Sequence, residues 1–107
     1  MELTTMERLV LLGVLPAEGD VTTLRIVRRL REDLSFDDEE HERLNIRPEE
    51  GRVVWSDDGS VKDVKIGAKA TRLIADALEK MDRDGKLTDS HLSVCDKFGI
   101  GDDDGTE

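Results

Sequence analysis

Apolar residues recur with a helical period in four stretches of this chain and alternate with charged ones in a fifth. Leu3, Met6, Leu9, Val10 and Gly13 trace one face of a first helix over about Thr5 to Leu12, with Thr4 or Thr5 as its cap. Leu11 and Leu12 stand off that face, so this helix is expected to be buried on most sides. Gly13, Pro16 and Gly19 then make a loop. Asp20 caps a second helix, roughly Val21 to Leu34, whose stripe is Val21, Leu24, Val27, Leu30 and Leu34 with Ile26 in support. Arg25, Arg28, Arg29 and Arg31 lie mostly off that stripe, and Arg28 and Glu32 are spaced to pair.

A short third helix is expected to start after Ser35 or Asp37 and to end near Leu44 or Asn45. The period then changes. Arg52 to Ser56 and Val61 to Ile66 flank Asp57-Asp58-Gly59-Ser60, which predicts a β-hairpin near residues 52–66. Ala70, Leu73, Ile74, Ala77, Leu78 and Met81 make the clearest stripe of the chain, a fourth helix from about Ala68 to Arg83 stopped by Gly85. Arg72, Asp76 and Lys80 lie opposite that stripe, and Glu79 can meet Arg83. Thr88 or Asp89 caps a last helix to about Phe98, with Leu92, Cys95 and Phe98 inward. The fold class is therefore mainly α (α+β), with four to five helices and one hairpin in the order of a winged helix. Residues 1–98 form one domain, and 99–107 a disordered acidic tail.

Charge changes what this domain can be expected to do. The formal net charge is -10, and residues 35–60 carry nine acids against three bases. The winged-helix order suggests DNA binding, but the third helix, which would enter the groove, is Asp38-Glu39-Glu40-His41-Glu42-Arg43-Leu44. Phosphate repulsion opposes that docking unless Arg25, Arg28, Arg29 and Arg31 bind instead. Carboxylates in the first turn also favour the helix dipole, which explains Asp38, Glu39 and Glu40 without a partner. Glu42, Glu49 and Glu50 are not covered by that account. An acidic surface imitating a phosphate backbone is the inverse reading. Asp outnumbers Glu and Arg outnumbers Lys, which suits a high-salt cytoplasm or an acidic partner surface equally.

Chemistry is sparse. Cys95 is alone, so no internal disulfide is available, and spacing from Leu92 and Phe98 makes it a core residue in a reducing compartment. Aligned on Gly85, Asp82 and Asp84 take EF-hand positions, but Lys80 and His91 fall where the key carboxylates are needed. His41 and His91 have no Cys or second His at zinc spacing. No nucleophile elbow, phosphate loop or H-E-x-x-H motif occurs. The chain is expected to be non-enzymatic and to need no cofactor. It lacks a basic leader and a membrane-length apolar run, so a cytoplasmic or virion-associated protein is expected.

The spacing of Leu12-x-x-Leu15-Pro16-x-x-Gly19, Leu34-x-Phe36-x-x-Glu39-Glu40, Trp55 and Gly85-Lys86-Leu87-Thr88-x-x-His91 resembles small proteins encoded by tailed phages and prophages, over about residues 3–98. The resemblance implies a viral or mobile-element setting, and it brings no activity and no site residues. The expected role is capture of another protein with a basic surface through Asp38, Glu39, Glu42, Glu49 and Glu50, with Trp55 either an anchor for the partner or, more often on such a hairpin, a plug over the core. Nucleic acid is the less expected partner, and a membrane is not expected.

Overall fold

The computed structural model describes residues 1–101. In chain order these form β1 (Glu2–Thr4), α1 (Thr5–Val14), α2 (Val21–Leu34), α3 (Asp38–Leu44), β2 (Arg47–Glu49), β3 (Arg52–Val54), β4 (Val61–Asp63), α4 (Ala68–Arg83) and α5 (Leu92–Phe98), with a 3-10 turn at Asp89–His91 before α5. The architecture is mainly α with a few strands, as the periodicity predicts. The second and fourth helices begin and end where the sequence places them. Asp20 caps α2 by accepting from the Thr23 N–H at 2.8 Å. Asp37 and Glu40 close a reciprocal capping box on α3, so two of its acids serve the helix itself.

The strands pair differently from the expected hairpin. Arg52–Val54 pairs antiparallel with Arg47–Glu49, and Val61–Asp63 pairs antiparallel with Glu2–Thr4. The two runs read as one hairpin over 52–66 are thus not partners, and the hairpin lies at 47–54. The reason is a two-residue turn at Glu50 and Gly51, both in the left-handed region (φ 53° and 81°), as a type I′ hairpin requires. The Asp57–Ser60 segment is a loop instead, held by side-chain bonds from Gly59 N–H to Asp57 and Ser60 N–H to Asp58. It delivers β4 to the chain start, where the terminal ammonium meets Asp63 at 3.0 Å.

The core joins Leu3, Leu11, Leu34, Ile74, Leu78 and Val94, all without exposed surface, from one strand and four helices. Two helical faces are rotated from expectation. In α1, Met6 is 42% exposed, while Thr5, Glu7, Arg8, Leu11 and Val14 are buried. That rotation is possible because both buried charges are paired. In α5, Leu92 is 57% exposed, and Val94 and Cys95 point inward. The preceding 3-10 turn winds more tightly than an α-helix and shifts the phase of the face that follows. The tail expected from Gly99 onward is ordered at its start. Gly99 caps α5 in the left-handed region (φ 71°), and Ile100 turns back into the core with its N–H on the Cys95 carbonyl. Residues 102–107 of the expected tail lie outside the described residues.

Candidate functional site

The acidic block is divided by structure into members that hold the fold and members that face solvent. Glu40 belongs to the first kind. Arg8, buried in α1, donates from Nη1 to Glu40 Oε2 at 2.7 Å and from Nη2 to Glu40 Oε1 at 3.3 Å. The same guanidinium donates to the Leu34 carbonyl at 3.2 Å and the Ser35 carbonyl at 2.6 Å, which are the orphaned acceptors at the end of α2. Phe36 lies under it, with the ring centre 3.9 Å from Cζ. Arg8 therefore ties α1, α2 and α3 at one point. Its hydrogen bonds hold the Glu40 carboxyl at a pKa of about 2, with the Asp37 N–H adding to the effect.

Of the five acids predicted to meet a partner, all are exposed. Glu39 accepts from Arg43 at 3.2 Å, and Arg43 also reaches Asp58 at 3.0 Å. Glu49 lies 3.6 Å from Arg47 on the same face of β2. Asp38, Glu42 and Glu50 form no ion pair among the described residues. Trp55 is half-buried rather than sealed into the core. It lines an open cleft of about 560 Å³ with Met6, Leu9, Val10 and Val53. Met6 and Val53 are themselves 42% and 45% exposed, so the cleft has an apolar lip. The hairpin carrying Glu49 and Glu50 leads directly into it. Arg52, Ser90 and His91 complete its lining, so the structure joins Trp55 to Met6 and Val53, which the sequence reading placed in a core stripe and a strand, and leaves Glu49 and Glu50 outside the cleft.

The four arginines of α2 are exposed and divided between two sides of the helix. Arg25 and Arg29 line a recess with Lys65 and Lys69. Arg28 and Arg31 line another with Leu24 and Glu32. Arg28 and Glu32 do not pair, nor do Glu79 and Arg83, whereas Arg72 and Asp76 lie 3.8 Å apart.

The imidazoles have local roles. His91 Nδ1 accepts from the Thr88 N–H at 3.0 Å and so caps the turn before α5. The exposed His41 ring meets Phe36 edge-on, with centroids 6.2 Å apart. Cys95 is buried, and burial pushes its thiol pKa up, away from a reactive thiolate. Among the described residues no group of three or more His, Cys, Asp or Glu side chains could hold a metal ion, and no helix is long and apolar enough to cross a membrane. No protein-family model, curated protein or solved structure matches this chain, so its candidate site rests on geometry alone.

Proposed function

We propose that this chain is a non-enzymatic protein-interaction module that captures a basic partner on the surface formed by α3, the β2–β3 hairpin and the Trp55 cleft. The observation that carries this reading is the open cleft at Trp55, on the hairpin whose exposed Glu49 is the register partner of the cleft residue Arg52. An indole lining an accessible apolar recess offers a partner side chain a desolvated anchor. The exposed carboxylates of α3 and the hairpin steer a cationic partner toward this side of the molecule. A viral accessory or structural protein is the setting proposed with it, on the resemblance of loop, cap and hairpin residues.

Selection of a random 12-residue peptide library on the intact protein tests the reading. The enriched peptides are expected to pair an aliphatic or aromatic residue with two or more Lys or Arg. Binding should fall at least about tenfold with Trp55→Ser and again with Asp38→Lys plus Glu42→Lys, with each variant shown to be folded by circular dichroism at the temperature of the assay. No enrichment of basic peptides, or enrichment of basic ones indifferent to these substitutions, would sink the proposal.

A further inference from the structure

The face opposite in charge to the acidic hairpin is a trough along the α2–α4 contact. Its larger part, about 830 Å³, has a floor of Val14, Ile26, Leu73, Ala77 and Met81. Ile26, Leu73, Ala77 and Met81 are only partly buried and pack directly on the core, so the floor is a solvent-facing extension of it. Lys69, Arg72 and Lys80 stand along the α4 rim. A second recess of about 580 Å³ shares Ile26, Ala68 and Lys69 with the first and adds Arg25, Arg29 and Lys65. The two recesses abut at the three shared residues and together make a trough along α4. Six cations line it against two carboxylates, Asp33 and Asp76, in a chain of net charge -10. Of these six cations only Arg72 forms an ion pair among the described residues, with Asp76 at 3.8 Å.

We infer that this trough is a second docking site, which takes an acidic amphipathic helix of a partner protein. An apolar floor between cationic rims matches a helix with apolar residues at i, i+3, i+4 and i+7 and carboxylates on its flanks. From Ala68 to Lys80 the α4 rim is about 18 Å long at 1.5 Å per residue, which suits a ligand of three to four turns. Charge complementarity selects the acidic class. The floor selects a helix over a nucleic-acid strand, because no aromatic ring lines the trough to stack a base. Residues 102–107 read Asp-Asp-Asp-Gly-Thr-Glu and hold no apolar residue, and the apolar end of α3, Leu44, is already fully buried.

The test uses a fluorescent 14-residue peptide helix with a Leu stripe and Glu flanks, measured by anisotropy against the intact protein. A Lys-flanked twin, a 16-base-pair duplex and phosphatidylglycerol vesicles serve as comparators. The Glu-flanked helix is expected to bind at least about tenfold tighter than its twin and to weaken as KCl rises from 0.1 to 0.5 M. Arg72→Glu plus Lys80→Glu, both at exposed positions, should cost at least about tenfold, and Arg72→Lys plus Lys80→Arg should restore most of it. Amide shifts on titration should cluster at Ile26, Leu73 and Ala77. Trp55→Ser should leave this binding unchanged, so the two surfaces stand or fall separately. Equal affinity for the two peptides, tighter binding of duplex or vesicles, or shifts centred on Trp55 would overturn the assignment.

Discussion

Replacing Arg8 with alanine is expected to destabilise the fold by about 3–5 kcal/mol, because it leaves the partly buried Glu40 carboxylate without its partner. The melting temperature should fall by roughly 15–30 °C for a domain of this size. Three losses coincide. The carboxylate loses its bidentate partner, the Leu34 and Ser35 carbonyls lose donors at the end of α2, and Phe36 loses the cation it supports. Arg8→Lys keeps the charge but cannot reproduce the planar fork, so it should recover less than half of the loss. Glu40→Gln leaves Arg8 bonded to both carbonyls and should cost less than Arg8→Ala. A fall below about 5 °C for Arg8→Ala would show that α1, α2 and α3 are not tied through this guanidinium.

The same contact fixes the direction of the acid response. The Glu40 pKa is lowered in the fold, from 4.5 to about 2. The unfolded chain therefore binds its proton first, and the contribution is full above about pH 4.5 and lost as pH falls through 2. The shift corresponds to about 3 kcal/mol, reduced to about 1–2 by solvent screening at the partly open carboxylate. Glu7 adds to the same limb, since its pKa is also lowered. Denaturant melts between pH 5 and 2 should show a steep loss of stability in the native chain and a shallower one in Glu40→Gln. Equal slopes would mean that Glu40 does not govern the acid limb.

What could be read in advance divides along a physical line. Helix bounds for α2 and α4 follow from local chemistry, the Asp20 cap and a sustained apolar stripe, and those signals sit within one element. The strand partners do not. Each strand is only three residues long, too short for alternation to specify a register, and β4 pairs with residues about sixty positions away. The α1 face differs from its apolar stripe because Glu7 and Arg8, charged residues that ordinarily face water, are buried with partners. Two signals point to this burial. Thr4-x-x-Glu7 is a capping-box pattern, and a helix with apolar residues on most sides leaves its charges nowhere wet. At the candidate site, exposure of Asp38, Glu39 and Glu42 follows from their place on a short helix with one buried residue, Leu44. The Trp55 cleft could not be read, because Met6, Leu9 and Val10 reach it from an element some 45 positions earlier. The cationic trough was half visible as the α2 arginines, and its lysines come from β4's exit and α4.

Glu7→Ala is expected to cost about 2–4 kcal/mol and to release α5 from the body of the fold. Glu7 has two partners of different kinds. Its carboxylate accepts from the Thr4 N–H at 2.9 Å, completing the α1 cap, and from Lys97 Nζ at 2.7 Å, binding α1 to α5. Burial alone would raise its pKa, but the Lys97 and Thr4 hydrogen bonds reverse the direction. Lys97 also donates to the Glu2 carbonyl at 2.6 Å, so one ammonium joins β1, α1 and α5. Removing Glu7 strands a half-exposed cation and reopens the cap, whereas Lys97→Met removes the cation and keeps an aliphatic stem over the same surface. Lys97→Met should therefore be the milder change. A double-mutant cycle between them should give a coupling of about 1–3 kcal/mol. Hydrogen exchange in Glu7→Ala should quicken in α5 before it does in α4. Additive effects, or loss of protection in both helices together, would mean that α5 is held by Val94, Cys95 and Ile100 alone.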